Sequence, residues 1–151
     1  MGLAGISRCG GGNFSPLQGV YNAPPVSIPS GGSFDDATWT YVFGDAVLDL
    51  TTPTAPKALA TGLYLFSIQW FVTGGGTAGR SFEGNFQTLA PPAHNMNSYT
   101  LNPSDGSGIG GFVSEAIVMP AGQPFRLHFG NNDTAAHNFS SNEIDVVFIA
   151  T

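Results

Sequence analysis

The sequence predicts an all-β protein: an antiparallel two-sheet sandwich of jelly-roll type, with about eight strands and an extended N-terminal arm. Three observations predict this fold. The 151 residues include only 4 basic and 10 acidic side chains, too few for the solvated surface of a helical bundle. Hydrophobic residues make up 42% of the chain and recur with a period of two, which is typical of strands. The 21 glycines and 11 prolines separate these stretches as turn signals.

The first 33 residues differ from the rest. They contain Gly10–Gly12, Pro24–Pro25 and Gly31–Gly32, and no period of 2 or 3.6 is sustained between them, so we expect an extended arm with little core of its own. Its apolar residues are too many for a solvated linker, and the candidates for contact with another surface are Leu3, Ile6, Phe14, Leu17, Val20 and Tyr21. The sequence thus predicts a docking arm over residues 1–33 and a jelly-roll domain over residues 34–151.

Period-two segments follow one another through the predicted domain. In order, they are residues 38–43, 46–50, 63–73, 81–89, 98–101, 110–118, 124–129 and 143–150. The strongest is 63–73, where Tyr64, Phe66, Ile68, Trp70 and Val72 share one face. An immunoglobulin-like sandwich is the alternative, but its paired cysteines are absent because Cys9 is the only cysteine.

Composition and motif spacing argue against several functions. Four basic residues in a chain of net charge −6 cannot neutralise a row of phosphates, so no nucleic-acid partner is expected. The apolar stretch 63–72 is too short to span a bilayer, so no membrane partner is expected. Two Gly-x-Gly-x-x-Gly matches, 74–79 and 106–111, lead into no helix and are therefore predicted hairpin loops rather than nucleotide sites.

The titratable residues form no recognisable reaction centre. The three histidines, His94, His128 and His137, lack metal-ligand spacing, and the aspartates fall in or beside turns. No nucleophile elbow or facing carboxylate pair is visible. The sequence therefore predicts no catalytic residues, no metal, no cofactor and no enzyme activity.

Three segments resemble the tumour-necrosis-factor and complement globular-head superfamily. Residues 60–70 contain the Gly-x-Tyr-x-Phe pattern of that family's signature strand, at Gly62, Tyr64 and Phe66. Residues 114–127 resemble its strand, Ala-Gly turn and next strand, with Gln123 where the family often has Asp. Residues 143–150 resemble its last strand, without the usual Phe-x-Gly.

The resemblance implies a jelly roll that assembles as a tight homotrimer. The aromatic residues Tyr64, Phe66, Phe125 and Phe148 would then belong to the trimer seam or to the core of each chain. We expect no secretory leader, because residues 1–7 have neither a basic start nor an apolar core. Gly-X-Y repeats are absent from the sequence as well, so it looks more like a bacteriophage structural protein of the same fold.

The resulting expectation is a virion protein made in the host cytoplasm. It would be a capsid decoration or minor capsid protein that binds the major capsid protein, or another virion protein, through its arm. The alternative is a receptor- or glycan-binding head of a tail fibre, with shallow sites in 94–99 or 131–139.

Overall fold

The structure, a computed structural model, describes residues 15–73, 77, 79–91, 94–101 and 109–151. Eleven strands and no helix lie in these ranges. The strands are β1 (Leu17–Ile28), β2 (Ser33–Asp36), β3 (Thr40–Gly44), β4 (Leu48–Asp49), β5 (Lys57–Ala58), β6 (Gly62–Thr73), β7 (Ser81–Thr88), β8 (Asn95–Leu101), β9 (Ile109–Met119), β10 (Phe125–Asn131) and β11 (His137–Ala150).

The strands form two main antiparallel sheets. One has five strands in the order β3-β1-β11-β6-β9, and the other has four in the order β2-β10-β7-β8. Strands β4 and β5 pair with each other as a short ribbon. The predicted all-β, antiparallel jelly-roll sandwich is confirmed.

Aromatic side chains fill the space between the sheets. On β6, Tyr64, Phe66, Ile68, Trp70 and Val72 are all buried, as the period of two predicts. The Phe66 ring centroid lies 4.7 Å from that of Phe86 on β7 and 5.2 Å from that of Phe125 on β10. The core of the sandwich is therefore continuous from one sheet to the other.

Two glycines make room for Trp70 in this core. A Cβ at Gly111 on β9 would overlap the indole ring, and a Cβ at Gly84 on β7 would lie 2.5 Å from the indole nitrogen. Any larger residue at these two positions would overpack the core.

The expectation of an extended arm is wrong for residues 17–28. They form β1, which lies between β3 and β11 in the five-stranded sheet, and Tyr21 within it is fully buried. The pairing of β1 with β11 shifts register twice, between Tyr21 and Ala23 and between Ala23 and Val26. These irregularities, next to Pro24–Pro25, interrupt the period of two that would have indicated a strand.

Other differences concern edges and loops. The strand predicted over 143–150 begins earlier, at His137. The prediction missed residues 137–142 because a register shift between Ser140 and Glu143 breaks the alternation of the strand. The short strands β2 and β5 had no predicted counterpart. Residues 74–76 and 78 of the first glycine motif and 106–108 of the second lie outside the described residues. Gly79 adopts φ +79° in a turn, whereas Gly111 belongs to β9 and not to a loop.

Candidate functional site

The outer face of the five-stranded sheet carries an apolar strip, defined here as Leu63, Leu65, Ala116, Val118, Val147 and Ile149. Leu63 on β6 lies opposite Val118 on β9 and Ile149 on β11. Leu65 is likewise flanked by Ala116 and Val147. Because alternate residues of β6 point into the core, these side chains point outward; Val118 is 56% exposed.

The same face becomes polar beyond the strip. Ser67, Gln69, Phe112, Glu143 and Asp145 line a shallow depression of about 110 Å³. The Phe112 ring is 56% exposed there. The face therefore combines an aliphatic area with a neighbouring area that offers amide and carboxylate groups.

An aliphatic outer face is unusual for an antiparallel sheet in water. Such sheets commonly pack one face on the core and leave a polar face to solvent. Large contiguous apolar patches on a protein surface mark interaction sites. The apolar strip is thus a candidate interaction surface among the residues that the structure describes.

The four aromatic residues predicted for the seam or the core lie inside the chain. Tyr64, Phe66, Phe125 and Phe148 are each at most 4% exposed. The rings of Tyr64 and Phe148 have centroids 5.0 Å apart. The sequence pattern missed the apolar strip, although the signal was present: in residues 63–66 (Leu-Tyr-Leu-Phe) the residues of both faces are apolar.

The predicted docking residues fall into two groups. Leu3, Ile6 and Phe14 lie outside the described residues, whereas Tyr21 and Val20 are buried in β1 and Leu17 is half-buried. The Tyr21 hydroxyl accepts hydrogen bonds from the backbone N–H groups of Val47 (3.1 Å) and Leu48 (3.2 Å). Burial raises the pKa of Tyr21 above its ordinary value, and these two hydrogen bonds partly oppose the shift. Contact of any of the six with a capsid stays a prediction.

Each histidine is near one carboxylate. The pairs are His94 Nε2 with Glu115 Oε2 (2.8 Å), His128 Nδ1 with Asp36 Oδ1 (2.6 Å) and His137 Nε2 with Asp133 Oδ2 (3.0 Å). In the described part of the chain, no group of three or more His, Cys, Asp and Glu side chains is arranged to hold a metal ion. These pairs connect strands and loops of the sandwich.

Asp133, in the loop before β11, and His137, the first residue of β11, form a fully buried pair. Backbone N–H groups of Thr77 and Thr134 donate to the Asp133 carboxylate at 2.7 and 2.5 Å. Burial by itself raises the pKa of Asp133, but these hydrogen bonds outweigh it and hold the pKa below its ordinary value. The carboxylate therefore ties neighbouring loops together in its charged form.

No family model and no curated protein matches the sequence of this chain. None of the described residues forms a helix long and apolar enough to cross a membrane.

Solved structures with the same fold are found at low sequence identity. Murine APRIL matches 87% of this chain and 99% of its own at 13% identity, with a TM-score of 0.63. The globular domain of zebrafish complement 1qA protein matches 89% of this chain and 98% of its own at 8% identity, with a TM-score of 0.61. PRD1 vertex protein P5 matches 91% of this chain and 99% of its own at 16% identity, with a TM-score of 0.56.

These likenesses concern the fold. The chain has the jelly roll of the TNF-family and complement C1q heads, which the resemblance of residues 34–151 implied. A vertex protein of a phage has the same architecture.

Proposed function

We propose that this chain is a structural head domain of a virion, a homotrimer that decorates the outer surface of a capsid. The observation that carries the proposal is the apolar strip on the outer face of the five-stranded sheet. The likeness to PRD1 vertex protein P5 supports a place in a virion. The role needs no catalysis, metal or cofactor.

The apolar strip is the surface through which the copies associate. Aliphatic side chains on β6, β9 and β11 lie in adjacent cross-strand positions, so they form one continuous area rather than scattered contacts. Burying such an area against a second copy removes apolar surface from water, which favours association by about 25 cal/mol per Å².

A charge placed in the strip tests the association. We expect Val118→Lys to convert the trimer to monomers in sedimentation velocity, because the ammonium group would be buried without a partner. Val118 is 56% exposed in the single chain, so the monomer itself should fold, which circular dichroism checks. Leu89→Lys is the matched control, since Leu89 is 43% exposed at the end of β7 in the other sheet.

Two outcomes would contradict the proposed association. One is a wild-type protein that sediments as a monomer at all accessible concentrations. The other is a Val118→Lys variant that stays trimeric, because the strip would then not be the contact between copies.

Attachment to the capsid is proposed to depend on residues before β1. Leu17, Val20 and Tyr21 belong to the sandwich, so their removal would damage the fold itself. The docking segment is therefore narrowed to the part of the predicted arm that precedes residue 15, which includes Leu3, Ile6 and Phe14. The partner is the major capsid protein or another virion protein.

A further inference from the structure

The outer face of the four-stranded sheet differs in chemistry from the apolar strip. Three cross-strand rows cross it, in the order β2, β10, β7, β8. They are Asp36, His128, Asn85 and Asn97; Phe34, Gly130, Glu83 and Tyr99; and, without a β2 member, Arg126, Gln87 and Asn95. We name these eleven residues the amide face. The face carries carboxylate, amide and aromatic groups and one guanidinium.

The second row crosses all four strands of the sheet. Phe34 and Tyr99 stand at its two ends, and Gly130 and Glu83 lie between them. Neighbouring strands are about 4.8 Å apart, so the two aromatic residues are about 14 Å apart across the sheet. The Phe34 ring lies over Gly130, and Glu83 is the next residue of the row.

Both aromatic rings are held in place yet accessible. The Phe34 ring is stacked on the His128 ring, with centroids 4.8 Å apart and planes within 8°, and a Cβ at Gly130 would overlap it. Phe34 is 43% exposed and Tyr99 is 61% exposed. The Tyr99 hydroxyl accepts a hydrogen bond from Asn97 Nδ2 at 3.0 Å.

The polar groups between the rings are incompletely hydrogen-bonded. Asn85 is 6% exposed and Glu83 is 8% exposed. Asn85 Nδ2 donates to Glu83 Oε1 at 3.4 Å, but Asn85 Oδ1 is buried and has no donor within the described ranges. Because an unmet buried acceptor is costly, a ligand hydroxyl that reached Asn85 Oδ1 would be stabilised. Asn85 is only 6% exposed, so reaching it requires the surrounding side chains to move.

The charge of the amide face disfavours an anionic ligand. Arg126 donates to Gln87 Oε1 through Nε (2.9 Å) and Nη2 (2.7 Å), and its Nη1 lies 3.5 Å from Asp36 Oδ1. Each guanidinium nitrogen is thus already next to a neighbouring acceptor, while Asp36 and Glu83 repel anions. Groups that remain for a ligand are amide dipoles, carboxylate acceptors and ring faces.

We propose that the amide face binds a neutral oligosaccharide. A sugar ring has C–H groups on its faces, which pack on exposed aromatic rings, and hydroxyls at its rim, which amides and carboxylates bind. In this site the sugar rings would lie against Phe34 and Tyr99, with hydroxyls directed to Glu83 and Asn85. A depression of about 270 Å³ lined by Gln87, Thr88, His94 and Asn95 adjoins the third row and lengthens the surface.

This inference does not rest on the proposed virion role, since every residue involved belongs to a single chain. The amide face supplies a binding site for the glycan-binding head that the sequence offered as the alternative function. Of the two loops that the sequence pointed to, 94–99 contributes Asn95, Asn97 and Tyr99 to this face, and 131–139 contributes none of the eleven residues.

The test starts with the full-length protein on an array of neutral, sialylated and sulfated oligosaccharides. The strongest neutral glycan is then titrated calorimetrically into wild type, Tyr99→Ala and Phe34→Ala. We expect each substitution to weaken binding by at least about tenfold, which corresponds to about 1.4 kcal/mol. Glu83→Gln, which keeps the size of the side chain, should weaken binding without removing the aromatic contacts.

Phe112→Ala is the matched control, because Phe112 is 56% exposed on the other sheet. It should leave the affinity unchanged. Unchanged thermal unfolding of Tyr99→Ala shows that loss of binding is not loss of fold. The inference is overturned if no neutral glycan binds, if only anionic glycans bind, or if Tyr99→Ala and Phe34→Ala bind as tightly as wild type.

Discussion

Replacing Tyr21 with phenylalanine tests whether residue 21 belongs to the core of the sandwich or to a docking arm. In the structure the Tyr21 ring is fully buried, and its hydroxyl accepts hydrogen bonds from the backbone N–H groups of Val47 and Leu48. Tyr21→Phe leaves the ring in place and removes both bonds. If residue 21 instead lay on a docking arm, the same change would alter particle binding and leave stability alone.

The expected loss of stability follows from the two backbone N–H donors that are left without an acceptor. A buried polar group left without its partner costs about 1–3 kcal/mol, and the two N–H groups share a single acceptor and can in part re-pair. We therefore expect the free energy of unfolding to fall by about 2–4 kcal/mol. For a chain of this size, that lowers Tm by about 4–16 °C.

Tyr41→Phe provides the matched control. The Tyr41 hydroxyl donates to the Gly44 carbonyl at 2.6 Å, but this bond is exposed, so water can replace the missing partner. The two variants should be unfolded by urea and by heat at one protein concentration, because the stability of an oligomer depends on concentration. Equal stability of Tyr21→Phe and Tyr41→Phe would refute the placement of β1 in the core.

Two further predictions concern the loop before β11 and the N-terminal segment. The pKa of Asp133 is held below its ordinary value of 3.8. The stability that the ionised Asp133 contributes is therefore present above that pH and is lost as the pH falls through the lowered pKa. Asp133→Asn should lower the free energy of unfolding at pH 7 by about 1.5–3 kcal/mol and make it fall less steeply in acid, as urea unfolding at a series of pH values would measure. Deleting residues 2–14 should leave the circular dichroism spectrum and Tm unchanged, since every described strand begins at or after Leu17. The same deletion should abolish cosedimentation with the virus particles to which the wild-type protein binds. A truncated protein that still cosediments would contradict docking through that segment.

The regular strands could be predicted because their alternation is uninterrupted. On β6, five consecutive inward positions are apolar and buried, from Tyr64 to Val72. The same periodicity predicts the strands of residues 110–118 and 124–129. Turn residues supply the boundaries, as at Gly122, which adopts φ +80°.

Strand β1 could not be predicted because its residues do not alternate cleanly. It runs through Pro24–Pro25 and changes register with β11 on either side of Ala23. Its membership of the sheet is determined by partners more than 100 residues away in sequence, such as Ile144 opposite Tyr21. Local pattern does not contain that information.

The apolar strip and the amide face could not be predicted from the sequence for a different reason. The amide face comes together only when four strands align, which places Glu83 between Gly130 and Tyr99. Nothing in the linear spacing of these three residues indicates a common row. The apolar strip shares its strands with the core, so its leucines and valines are not distinguishable by residue type from buried ones.

The two proposed surfaces are compatible because they belong to opposite sides of the sandwich. Two sheets packed face to face direct their outer faces away from each other, so copies joined through the apolar strip leave each amide face free. A trimer would then present three glycan sites, and simultaneous engagement would raise the avidity for a multivalent surface without any new contact. Val118→Lys should therefore keep the affinity of each site for a soluble oligosaccharide and lose the tighter binding to a glycan-coated surface. Loss of both together would mean that the glycan site is completed by a neighbouring copy, and equal binding to the coated surface would mean that association does not contribute to recognition.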